Sequence, residues 1–331
     1  MGKKDDISDS YMSDNEHFAD AFNYYIYGGE KVIKAENLVA ADTAETAVID
    51  KLEKIITTKK TRDVIKHLSI KREGKITYAI LGVENQSLIN YAMPVRNLIY
   101  DALSYGAQVY EEEKALKQSK KKIDSAEYLS GFGKDSKLYP VITLVINWGN
   151  KKWDGPRKLS DMLADTDPRI KRLINDYEIR LLDPHDIDDF DKFSTMLGDV
   201  LEFIKCQDDE GYLERVIKEK GENWAFDKES VNVINTFTDA QMQISVDEEG
   251  KVKMCRAVEV YIERGMEKGI KEGESKLLIE LICKKLSKGK SVEVIADEVE
   301  ESVDRVQEIC NVIGEISPDY DVDKIYEAMR K

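Results

Sequence analysis

The chain has 331 residues, 42% hydrophobic and 8% aromatic, enough for one large domain or two ordinary ones with a sizeable core. Its 50 Lys and Arg against 65 Asp and Glu give a formal net charge of −15, which runs against broad phosphate neutralisation and leaves a local basic face as the route to nucleic acid. No apolar run reaches the roughly 18 residues of a membrane span, no apolar segment follows Met1, and four scattered cysteines with three histidines argue against a zinc site, so a cytoplasmic protein without a membrane partner is expected.

Residues 1–13 are polar and read as a flexible tail. From Asp14 the spacing of Phe18, Phe22, Tyr25 and Ile26 predicts a helix, closed by Gly28-Gly29. A loop with a short strand is expected over 31–44 and a helix over 46–56, with Val48, Leu52 and Ile55 on its apolar face. Next come two runs rich in β-branched residues, up to Lys71 and from Ile76 to Glu84, separated by Arg72-Glu73-Gly74-Lys75. A two-residue turn at Glu73-Gly74 makes them a β-hairpin whose paired positions sum to 147.

That register sets Asp63 opposite Glu84, with Cβ atoms roughly 4.5–5.5 Å apart. Like charges so placed are destabilising without a cation between them, which points to a divalent-metal site. Gln86 shares Glu84's face, two residues along the strand, and its amide can orient water or phosphate. The bland alternative is a solvated strand face with incidental acids; the apolar composition of the Glu84 strand, which implies burial, argues against it.

After Gln86 a helix is predicted over 90–117, with Pro94 in its first turn. The run from Tyr139 to Trp148 is nearly all apolar and reads as a strand covered on both faces. A loop over 150–156 with an exposed Trp153, a helix over 159–164, a strand over 178–182 and a helix over 190–205 complete a mixed α/β domain spanning 14–206. Beyond it only helices are expected. An extension covers 207–288, its long helix (252–288) carrying Gly265, Gly269 and Gly273 at spacing four, and a small bundle covers 289–331. The glycine stripe suits either helix pairing in a homo-oligomer or a flexible linker. The first two helices of the bundle are spaced like a helix-turn-helix, but the would-be recognition helix over 302–308 is acidic, so packing is the better reading. The densest basic segment, Lys114 to Lys122 with Lys134 and Lys137 beyond, reads either as a nucleic-acid contact or as a solvated helix end.

The combination of Asp63, the turn and Leu81-Gly82-Val83-Glu84-Asn85-Gln86-Ser87 resembles the core of the PD-(D/E)XK nuclease superfamily. More narrowly, it resembles the recombination-promoting nuclease (Rpn) and YhgA-like "putative transposase" family. The stretches 14–23 and 91–96 and the glycine-spaced helix add to that likeness. The resemblance implies a restriction-endonuclease-like mixed sheet flanked by helices, an α/β fold with an all-helical C-terminal region. It also implies a Mg2+- or Mn2+-dependent DNA endonuclease in which Asp63 and Glu84 bind metal and Gln86 replaces the usual Lys. Asn15 stands where relatives carry Asp, leaving Glu16 and Asp20 as accessory acids, and Arg96 is placed to contact phosphate. The alternative is a nuclease-like module without activity that binds DNA or oligomerises.

Overall fold

The computed structural model describes residues 3–40, 63–72, 75–119, 124–165, 167–207, 209–220, 225–238, 240, 252–253, 272–316 and 321–329. It divides into two compact units, Met1–Ala257 and Val258–Lys331.

The first unit is built on a five-stranded mixed sheet in the order β1-β2-β3-β4-β5. Its strands are β1 (Leu38–Ala40), β2 (Val64–Arg72), β3 (Lys75–Gln86), β4 (Val141–Asn147) and β5 (Arg180–Leu182). β1 pairs antiparallel with β2 and β2 with β3, while β3, β4 and β5 are parallel. Val64 pairs with Val83 and Arg72 with Lys75, so the hairpin has the 147 register that the sequence predicts. The turn residues Glu73 and Gly74 themselves, like the helix expected over 46–56, lie outside the described residues.

Burial follows the strand period. On β2, Val64, Lys66, Leu68 and Ile70 are buried and Ser69 and Lys71 exposed, as alternation on a half-covered sheet requires. On β3 the exposed stretch 75–78 gives way to eight buried residues, 79–86, where helices cover both faces. The parallel crossover from β3 to β4 runs through helix α3 (Met93–Gln118), which starts with Pro94 in its first turn. α3 lies on the sheet face that carries Ile65, where Tyr100, Leu103 and Ala107 pack, and Met93 packs with Val145 of β4.

The opposite face is met by α1 (Lys3–Ser13), α2 (Asn15–Tyr27), α4 (Met196–Cys206) and α6 (Lys228–Phe237), with α5 (Glu210–Lys220) against α4. The segment expected as a flexible tail is therefore a helix. Ser8, Tyr11 and Met12 form its buried stripe, and the Tyr11 hydroxyl lies 3.0 Å from Ser230 Oγ of α6. α2 ends as predicted: Gly28 adopts φ 62° and Gly29 φ 97°, and a Cβ on Gly29 would sit 2.6 Å from the Lys192 carbonyl oxygen.

Other expectations shift. Trp153 is buried rather than exposed, because Asp183 accepts its backbone N–H at 2.7 Å and draws the loop onto the sheet. Residues 159–162 form only a 3-10 turn, and the helix expected over 190–205 begins at Met196, capped by Thr195. The region after Cys206 is not wholly helical: Ala225–Phe226 pairs antiparallel with Val252–Lys253 in a small ladder, so no helix starts at 252.

In the second unit, α7 (272–286), α8 (Val292–Glu298), α9 (Val303–Ile316) and α10 (Val322–Met329) pack as a bundle around Ile279, Ile282, Ile295, Val306, Ile309 and Ile325. Gly265 and Gly269 lie outside the described residues, and among the described residues nothing lies within 4 Å of a Cβ placed on Gly273.

Candidate functional site

The site forms at the C-terminal end of β3, where the sheet's polar residues collect. Val64 pairs with Val83, so Asp63, one residue earlier, stands across from Glu84. Its Oδ2 accepts the Asn85 backbone N–H at 2.7 Å, which fixes the carboxyl against the strand end. Glu84 is completely buried, and the Arg96 guanidinium reaches it from α3 at 2.9 Å. Arg96 also donates from Nε to the Tyr100 hydroxyl at 3.1 Å, one helical turn on. Burial alone would lower the Arg96 pKa, but Glu84, Tyr100 and Asp63 raise it above its ordinary value.

Asp63 titrates unusually. Burial pushes its carboxyl up to about 6, and Asp9 and Asp5 of α1 add to the push while the Asn85 N–H and Arg96 oppose it. An acid held near 6 by desolvation and like charges is poised for a cation, in the way pKa perturbations gather at working sites.

Gln86 lies on the same face as Glu84, buried, and donates from Nε2 to the Asn85 carbonyl at 2.9 Å. Asn85, between them, points to the other face. Its Nδ2 donates to Asp9 Oδ1 at 3.0 Å and its Oδ1 accepts from Trp148 Nε1 at 2.8 Å. A chain of hydrogen bonds thus ties α1 to the strand end. Asp9, Asp5 and Asn85 had not been singled out from the sequence. The only signal was the Ser8, Tyr11, Met12 spacing, weak because two of the three are polar or amphipathic.

The accessory acids sit elsewhere. Asp20 caps the start of α4, accepting from the backbone and hydroxyl of both Ser194 and Thr195 at 2.7–3.0 Å. Glu16 is on the exposed face of α2. Asn15 is a structural bracket: its Nδ2 donates to the Ala35 and Leu38 carbonyls, and its Oδ1 accepts from buried Lys66 at 2.5 Å. An aspartate there could not make the two donations. Lys66, the one cation in the buried row of β2, also donates to the Ser13 carbonyl at 2.6 Å, which explains its place among apolar neighbours. Of the basic segment, Lys114 and Lys117 pair with Glu111 and Glu113 on α3, as a solvated helix face does.

A family model described as "Putative transposase, YhgA-like" matches residues 58–230, just over half of the chain and the stretch that holds Asp63, Glu84, Gln86 and Arg96. The chain belongs to this YhgA-like family. No curated protein and no solved structure matches it. Within this YhgA-like protein, α1 and its acids lie before the matched residues, while the hairpin, α3 and β4 fall inside them. No helix among the described residues is long and apolar enough to cross a membrane.

As a cation site the arrangement is lean. Among the described residues no set of three or more His, Cys, Asp or Glu side chains is grouped to hold a metal ion. The donors at this strand end, two carboxylates and an amide, offer hard oxygens, and Mg2+ commonly takes one or two carboxylates with water and phosphate completing its shell. The donor set fits such an ion, provided Arg96 yields or shares Glu84.

Proposed function

We propose that this chain is a metal-dependent endonuclease that hydrolyses phosphodiester bonds in DNA, with Asp63 and Glu84 holding Mg2+ or Mn2+. The observation that carries the reading is the cross-strand placement of Asp63 and Glu84 at the end of the hairpin, with Arg96 converging on them from α3. A bound divalent ion would neutralise phosphate charge and lower the pKa of an attacking water. Arg96 supplies a fixed cation at the same sheet end, suited to a phosphate oxygen. Gln86, where the superfamily has Lys, brings an amide that can orient water or phosphate but carries no charge. The family's transposase description supports DNA as the partner. The free thiols Cys206, Cys283 and Cys310 fit a reducing cytoplasm.

A second reading has its own support. The Arg96 guanidinium at 2.9 Å already compensates Glu84, as a cation would, which suits a nuclease-like module that binds DNA without cutting it. Nicking of supercoiled plasmid in Mg2+ or Mn2+ decides between them. Wild type should nick and Asp63→Ala and Glu84→Ala should lose activity by at least about 100-fold. Equal rates in all three proteins would refute the catalytic reading.

A further inference from the structure

The row Met93, Asn97, Asp101 runs along α3 at spacing four and faces the sheet. Met93 packs on Val145, and Asp101 accepts from Thr143 Oγ1 at 2.6 Å and from the Tyr177 hydroxyl at 2.6 Å. In the β3–β4 ladder Val145 pairs with Glu84 and Thr143 with Gly82. Asn97 therefore lies over the Thr143–Val145 stretch of β4, beside Gly82 and Glu84 on the adjacent strand, and it is next in sequence to Arg96, whose guanidinium touches Glu84.

Asn97 is 0% exposed, and neither its Nδ2 nor its Oδ1 has a hydrogen-bond partner among the described residues. A buried primary amide left so is costly to desolvate, and leucine at such a place would cost less. Of the polar groups beside it, Thr143 and Asp101 bond to each other, and the Glu84 carboxylate stands on the adjacent strand next to Val145.

We infer that Asn97 is a positioning residue for Glu84, its amide N–H reaching the carboxylate on the adjacent strand through one ordered water. The amide and Arg96 then fix Glu84 from two sides, and the carboxylate keeps one orientation when a phosphodiester and its cation arrive. The role in turnover rests on the nuclease reading; the Asn97–Glu84 coupling does not. Amides that orient a ligand carboxylate from behind typically matter by about 10–100-fold in affinity or rate.

The test has two arms on the full chain. In the first, side-chain amide NMR signals of Asn97 are assigned by their loss in Asn97→Leu and then followed in Glu84→Gln. They should move in Glu84→Gln, and signals unchanged from wild type would overturn the inference. In the second, plasmid nicking by Asn97→Leu should fall about 10–100-fold in kcat with KM for DNA unchanged. Asn97→Ser, which keeps a hydroxyl and space for water, should recover most of that loss. A wild-type kcat in Asn97→Leu, or a change confined to KM, would overturn the positioning role. If wild type nicks nothing while Glu84→Gln moves the Asn97 signals, the coupling stands and the nuclease reading alone falls.

Discussion

Replacing Asp63 by asparagine should stabilise the first unit at neutral pH, although it removes a group central to the proposed chemistry. Burial, Asp9 and Asp5 lift the folded-state pKa from 3.8 to about 6, so the ionised form is disfavoured by folding. At about 1.36 kcal/mol per pH unit that difference sets an upper limit of about 3 kcal/mol, and solvent at the rim reduces it to about 1–3 kcal/mol. The sign follows from proton binding. Below about 3.8 Asp63 is protonated in both states and costs nothing. Between 3.8 and about 6 the folded state keeps the proton that the unfolded state has lost, so stability falls as pH rises. Above about 6 the whole cost is present. Asparagine keeps an oxygen for the Asn85 N–H and loses the charge. Urea or thermal unfolding at pH 4.5 and 8 should therefore show the variant ahead by about a third of the full gain at the lower pH and by nearly all of it at the higher. In a unit of this size the gain corresponds to about 2–4 °C per kcal/mol. A variant less stable than wild type at pH 8, or a difference independent of pH, would refute the argument.

Asp9→Asn takes a negative charge from beside Asp63, so the Asp63 pKa should fall below about 6; carboxyl-carbon NMR titration reads it directly, and an unchanged midpoint would show that burial acts alone. Lys66→Met strands the Ser13 carbonyl and the Asn15 side-chain oxygen, and chemical denaturation should register a loss of about 1–3 kcal/mol. Asp20→Ala removes the acceptor that holds Ser194 and Thr195 at the start of α4 and should cost at least about 2 kcal/mol in the same measurement. Millimolar Mn2+ should raise the melting temperature of wild type but not of Glu84→Gln, and equal shifts in both would place the ion elsewhere.

The part of this protein written locally was readable from the chain. Period two, a single Gly between two β-branched runs and the resulting register put Asp63 across from Glu84, and that pairing depends only on backbone geometry between neighbours in sequence. The crossover helix, the buried β4 run and the C-terminal helices followed from the same short-range rules. The tertiary structure alone decided what surrounds the two acids. Residues 3–13 lack the apolar density that marks a helix by itself, and they fold because Tyr11 and Met12 find a surface made by α6 and the sheet. Only that docking brings Asp9 to Asn85 and loads charge onto Asp63. Trp153 was likewise unreadable, since its burial depends on Asp183, 30 residues away. So it is with Arg96 and Asn97: the helical period says that they are neighbours, but only packing on the sheet turns one to Glu84 and buries the other above it. Sequence fixes which residues share a face. Burial, and with it the charge state and orientation of the acids, is a property of the assembled layers.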